Sequence, residues 1–320
     1  MIARRIAALL ASLCLLVARP AHAAEEGAGT RAAGFLIAGD APAVLGMGGA
    51  TLALGRDVQG AAWNPAALGW VSSAQVALAH ADFSDQTSRE WLAFGSRLGG
   101  GLTRVGLSAL VHDEGTIDGR DEQNQPTGSL RTQDIGITLQ LARPFGEHLS
   151  VGGAAHYAGQ RIGDVSGQGA AFDAGLQVRM GMLSLALAGQ DFGGGMMWDH
   201  ARWNMPATFG AGLALEHAPS GLRFALDWSA PADYYRSVRA GAEWRWHDRF
   251  ALRGGWRHEL GAPDTDRLGG PAFGMGTGVG VCWFDYGYVL DAAGAATHRV
   301  SLSFHGHART PAAPFGPSAR

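Results

Sequence analysis

Twelve histidines and a set of acids and arginines are the residues whose types could do chemistry. His305-Gly306-His307 sets two imidazoles at i and i+2, near His298, but no Cys or carboxylate completes a ligand set around them, so the trio reads as tail. A hydrolase would need Ser, His and a polar orienter converging on one point. His112, His156 and several Ser are available, with no motif linking them. Gly46-x-Gly48-Gly49 lacks the six-residue glycine spacing and the following strand–helix alternation of a nucleotide loop. Asp173, Arg179, Arg239, Glu243, Arg253, Arg257 and Asp285 occupy the polar positions of alternating segments, which suits cross-strand charge pairs facing a wetted lumen better than acid–base work. No catalytic residue, cofactor or metal is expected, and the protein reads as non-enzymatic.

The elements that would carry these charges show the period of strands. Leu222, Phe224, Leu226 and Trp228 alternate with Arg223, Ala225, Asp227 and Ser229. Val238, Ala240, Ala242, Trp244 and Trp246 alternate with Arg239, Gly241, Glu243 and Arg245. Phe172, Leu176 and Val178 oppose Asp173, Gln177 and Arg179, and Val300, Leu302 and Phe304 oppose Arg299, Ser301 and Ser303. Strict alternation puts the apolar set on one face and the polar set on the other.

Fourteen such segments are predicted, near 74–81, 88–98, 103–112, 133–142, 149–162, 171–179, 183–190, 207–216, 222–230, 236–246, 250–259, 273–282, 284–289 and 297–304. Short connectors such as 99–101, 180–182, 217–221 and 247–249 alternate with longer ones at 113–132, 191–206 and 260–272. A soluble sandwich or periplasmic barrel also alternates. Charged polar faces, apolar faces ending in Trp or Phe, and an even count with paired turns favour a transmembrane antiparallel up-and-down β-barrel of about 14 strands. Gly274, Gly276, Gly278 and Gly280 fall on every second position of one strand, leaving room for chain to lie against the wall or for the strand to bend.

Composition agrees. Glycine reaches 49 of 320 residues, charged residues are 17%, and every basic residue is Arg. Arg4 and Arg5, the apolar run 6–18 and Ala21-His22-Ala23 have the form of a signal peptide over 1–23. The run is too short to span a bilayer as a helix. Without that segment the chain carries 22 Arg against 28 acids, a net charge of −6, which argues against a nucleic-acid partner. Cys282 is then the one cysteine left, so no internal disulfide forms. A Gly/Ala-rich region over 24–73 precedes the barrel at 74–304, and 305–320, with three prolines, forms a loose tail expected on the periplasmic side.

Leu45-Gly46-Met47-Gly48-Gly49-Ala50, then Asp57, then Ala62-Trp63-Asn64-Pro65-Ala66-Ala67-Leu68 resembles the signature of the PorV/PorQ family of outer-membrane proteins, within the FadL-like group of fourteen-stranded barrels. Asp285-Tyr286-Gly287-Tyr288 and Thr297 to Phe304 are similar to that family's end. The resemblance implies that residues 24–73 form a plug or hatch inside the barrel, with Gly46, Met47, Gly48, Gly49, Ala50, Asp57, Trp63, Asn64, Pro65 and Ala66 as its motif. Asn64 is expected to hydrogen-bond backbone within that plug. It implies residence in the outer membrane of a diderm bacterium after Sec-type export, with membrane lipid and the barrel-assembly machinery as partners. Phe304 would be the terminal aromatic that this machinery reads, although sixteen residues follow it.

Two functions follow from the resemblance. One is an accessory of protein secretion and cell-surface delivery, of the type IX kind, whose partners are an exported cargo protein or a secretion component. The alternative is a FadL-like channel for a hydrophobic ligand such as a long-chain fatty acid, taken up or expelled past the hatch or a wall gap. A structural barrel without cargo is the third. A lipid conduit should expose apolar loop side chains. Loop 113–132 is polar, whereas loop 191–206 carries Phe192, Met196, Met197, Trp198 and Trp203.

Overall fold

The computed structural model describes residues 32–37, 41–83, 87–198, 200–247, 249–263, 269–290 and 296–306. The signal segment, most of the tail and His307 lie outside the described residues. Fifteen strands form one antiparallel sheet: β1 Gln75–Asp82, β2 Ser88–Arg97, β3 Arg104–Arg120, β4 Pro126–Phe145, β5 Leu149–Ile162, β6 Val165–Met180, β7 Leu183–Trp198, β8 Ala201–Asn204, β9 Thr208–His217, β10 Leu222–Pro231, β11 Ser237–Trp246, β12 Phe250–Glu259, β13 Pro271–Val279, β14 Cys282–Leu290 and β15 Ala296–His305. Each long strand pairs with its sequence neighbours and β1 pairs with β15, so the sheet closes on itself. β8 pairs only with the end of β7, which leaves a ring of fourteen.

Burial is inverted relative to a water-soluble protein. Leu139, Phe273 and Trp256 are each half exposed or more, while Glu243, Arg253 and Asp285 are at most 6% exposed. Apolar side chains point out all round the ring and polar ones point in, and only a lipid exterior makes that arrangement favourable. A ten-residue strand such as β10 spans about 33 Å along its axis, which at a tilt of about 40° covers the roughly 25 Å apolar band of an outer-membrane barrel.

The turns at 98–103, 146–148, 181–182, 218–221 and 280–281, with the end of β11 and the start of β12, share one end of the barrel with the start of β1 and the end of β15. We call this the turn end and its opposite the loop end. The wall is uneven. β3 to β7 rise far past the others at the loop end, so most of 113–132 is strand with a tip at 121–125, not loop. Within 191–206, residues 191–198 and 201–204 are likewise strand, as the upper part of β7 and as β8.

Inside the ring lie two short helices, α1 Pro42–Leu45 and α2 Val58–Ala61, and a 3-10 helix at Pro65–Trp70. Asp57 accepts the Gly60 N–H at 2.7 Å and so starts α2. Asn64 accepts the Ala66 N–H at 3.0 Å, and Pro65 follows as the first residue of the 3-10 turn. Residues 41–71 are buried almost throughout.

Candidate functional site

The inner segment is tied to the wall by polar side chains. Asn64 Nδ2 donates to the carbonyls of Leu52 (3.1 Å) and Leu176 (3.4 Å). Gln177 Nε2 donates to Leu52 O at 2.6 Å, Gln140 Nε2 to Ala61 O at 3.0 Å, and Ser150 Oγ to Ala66 O at 2.7 Å. Asp227 Oδ2 accepts the N–H groups of Thr51 and Leu52 at 2.7 and 2.8 Å. Backbone reaches the wall where the wall has no side chain. A Cβ at Gly255 would collide with Met47, one at Gly152 with the Pro65 carbonyl, and Gly46 rests on Gly274. Of the alternating glycines of β13, Gly274 thus receives chain, while Gly276 leaves room for the Trp283 ring and Asp285.

The motif residues Gly46, Met47, Gly48, Gly49, Ala50, Trp63, Asn64, Pro65 and Ala66 are all buried, and Asp57 is half-buried. They are divided between two regions. Met47, Gly48 and Gly49 face β11 and β12, whereas Asn64 to Ala66 face β5 and β6.

A cavity of about 580 Å³ opens above this segment at the loop end. Its floor includes Leu45, Gly48, Gly49 and Trp63, and its walls include Phe83, Tyr234, Arg239, Arg257 and Arg299. The Arg239 guanidinium carbon lies 5.1 Å from the Trp63 ring centre, and Phe83 is flanked by Arg299 at 5.3 Å and Arg89 at 5.5 Å. Arg257 Nε pairs with Glu259 Oε1 at 2.7 Å. Arg239 is 7% exposed, its Nε has no hydrogen-bond partner among the described residues, and Asp227 stands opposite it on β10. A second cavity, about 430 Å³, lies at the turn end beside Arg56, Glu216, Arg223 and Arg245. Arg56, from the inner segment, pairs there with Glu216 of β9. Residues 41–71 therefore lie between two cavities.

The remaining charges sort by position. Arg253 bridges Glu243 (Nε–Oε2, 2.7 Å) and Asp285 (Nη1–Oδ1, 2.6 Å), and Trp283 Nε1 donates to Asp285 at 2.8 Å. Arg223 reaches the same Glu243 at 3.1 Å. Arg179 lies over Trp70 at 4.7 Å, and Asp173 is buried against His156. Beyond the apolar band, Arg131 lies 2.6 Å from Asp113 and holds its carboxyl below the ordinary carboxylate range.

The aromatic and thioether side chains of 191–206 divide. Met196 is fully buried with Met205, Phe192 and Trp198 are half-buried, and Met197 and Trp203 are exposed. Phe304 is exposed in β15, opposite Val76 and Cys282. Residues missed from sequence were Gln140, Ser150, Gln177, Phe83, Tyr234 and Arg299. Arg299 stood in plain view at a polar position of an alternating segment. The neutral ones carry no signal that separates them from other polar wall residues.

No protein-family model matches the sequence, and no curated protein does. Solved structures match in fold. The toluene transporter TbuX of Ralstonia pickettii aligns with a TM-score of 0.62 at 14% identity, over 85% of this chain and 100% of that one. The CymD monoaromatic hydrocarbon channel gives 0.63 at 14% identity, covering 85% and 98%. A mutant of the TodX monoaromatic hydrocarbon channel gives 0.63 at 13%, covering 84% and 99%. The chain has the fold of these outer-membrane channels. Likeness at this level of identity speaks for the barrel.

Proposed function

We propose that the protein is a FadL-like outer-membrane channel that admits small hydrophobic molecules with an acidic end, such as fatty acids. The observation that carries this reading is the loop-end cavity, where a buried Arg239, packed over the Trp63 ring, lines the same wall space as Phe83 and Tyr234. Aromatic walls take the apolar body of a ligand, and a desolvated guanidinium takes a carboxylate. Met197 and Trp203, exposed at the loop end, supply the apolar capture surface such a conduit needs. Structural likeness to proteins titled hydrocarbon channels supports a conduit over the PorV/PorQ-type secretion role. In this reading residues 41–71 act as the plug between the two cavities.

Dodecanoate titrated calorimetrically into the protein in lipid nanodiscs tests it. The expected result is saturable binding to the parent chain, weakened about 10–100-fold in Arg239→Met, the loss of one charge-assisted hydrogen-bonded contact of about 1.5–3 kcal/mol. No binding by the parent, together with co-purification of a secreted protein, would favour the secretion role.

A further inference from the structure

The regular ladder between β6 and β7 breaks twice. Ala174 pairs with Gly189, Phe172 with Phe192, and Ala170 with Gly195, so β7 holds an extra residue on each side of Phe192. Phe172 points to the lipid side, and an unbroken ladder would send Asp191 outward too, because parity alternates at every step. The extra residue reverses this. Asp191 takes a left-handed backbone, φ 54°, and its side chain ends inside the barrel, 4% exposed.

Two other ligating side chains are waiting there. On β5 and β6, Ala154 opposes Asp173 and His156 opposes Ala171, which makes His156 and Asp173 diagonal neighbours on the inner face. His156 Nε2 lies 2.7 Å from Asp173 Oδ2, and His156 Nδ1 lies 2.9 Å from Thr138 Oγ1. Asp173 Oδ1 is occupied by the Asp191 N–H at 2.8 Å. One nitrogen of His156 and one oxygen from each carboxylate lie within 4.8 Å of one another.

The charge count does not close without a further cation. Asp173 and Asp191 are both buried, and the imidazole is the single cationic group in contact with either among the described residues. The Asp191 carboxylate has no hydrogen bond and no ion pair among the described residues, although it is more than nine-tenths buried and aimed at the other two. A buried carboxylate in that position needs a partner.

We propose that His156, Asp173 and Asp191 form a divalent transition-metal site, of the Zn²⁺ class, in the inner wall of the barrel. Oxygen and nitrogen ligands at about 2.0–2.2 Å from a tetrahedral zinc stand about 3.4 Å apart, within the range the three atoms span. One imidazole with two carboxylates is a donor set that zinc accepts. Thr138 supplies the outer contact: with Nδ1–H donating to its hydroxyl, Nε2 keeps its lone pair for the metal. A fourth ligand, such as a water, would complete the tetrahedron. The ion clamps β5, β6 and β7 at the level where the ladder between β6 and β7 is interrupted, and braces the tall part of the wall above it. His112, Glu114 and Asp134 form a second such group, but Glu114 is exposed there and Asp134 accepts a hydrogen bond from Gln160 at 3.0 Å.

The test uses the full chain in nanodiscs, stripped with EDTA and titrated with Zn²⁺ by calorimetry, with the melting temperature followed in parallel. The expected result is one Zn²⁺ per chain and a raised melting temperature. Asp191→Asn and His156→Gln should each weaken binding about 100-fold or more. Asp191→Asn should leave the metal-free melting temperature unchanged or higher, since it removes the repulsion between two carboxylates. Glu114→Gln should change neither quantity. Co²⁺ in place of Zn²⁺ should give visible absorption bands that Asp191→Asn abolishes, an outcome that a folding defect in His156→Gln cannot obscure. Absence of saturable binding up to millimolar Zn²⁺, equal binding by Asp191→Asn, or loss of binding in Glu114→Gln would overturn the proposal.

Discussion

At the scale of single residues, the molecule keeps charge inside and neutralises it in small groups. Arg253 is the clearest case, with a carboxylate at each end of its guanidinium and almost no water. Removing one member of a buried ion group costs more than removing the group, because the partners stay charged and dry. Arg253→Met is therefore expected to destabilise the barrel by about 3–5 kcal/mol. The combined change Glu243→Gln, Arg253→Met and Asp285→Asn should recover most of that loss. Urea unfolding of the protein from lipid vesicles checks both values. Arg239 is a different case, a buried cation that faces the Trp63 ring beside an open cavity and makes no hydrogen-bonded ion pair among the described residues, and its substitution should cost ligand binding more than stability.

At the scale of elements, glycine decides where the inner segment can lie. Gly255 and Gly241 let Met47 touch the wall of β11 and β12, and Gly152 lets Pro65 touch β5. Gly255→Val is expected to push residues 46–49 off the wall, leaving strand content unchanged by circular dichroism and raising single-channel conductance in planar bilayers. Unchanged conductance would place the barrier elsewhere. Sequence alternation located all fourteen ring strands, since Leu222 to Ser229 or Val238 to Trp246 have one greasy and one wet face. It failed where that contrast vanishes. Between residues 113 and 132 both faces of the β3–β4 hairpin meet water, so the backbone ladder continues with no hydrophobic period to betray it. Asp191 lay outside the predicted segment 183–190, and the bulge that turns its side chain inward has no signal in the alternation. The charges of the site were legible, since Arg239 and Arg257 stand at polar positions of clean strands. Their grouping with Trp63, Phe83 and Arg299 was not, because it depends on strand order around the ring and on the path of the inner segment.

At the scale of the whole molecule, an apolar belt and a polar interior make the bilayer the solvent. Leu226, at the middle of β10 and facing outward, should tolerate Arg poorly, with a loss of about 2–4 kcal/mol in vesicle unfolding. Leu130, near the wet tip of the β3–β4 hairpin, should accept Arg at a cost near zero, within about 0.5 kcal/mol. Equal losses at the two positions would mean that the belt does not face lipid. In the proposed function, a route through the barrel would join the two cavities past the inner segment. Transport along it is best measured as uptake of radiolabelled dodecanoate by diderm cells that lack their own fatty-acid channel and carry this chain in the outer membrane. The parent chain is expected to raise uptake well above the empty-vector level, with Arg239→Met close to that level at equal abundance. Uptake that stays at the empty-vector level with the parent barrel correctly inserted would contradict the channel.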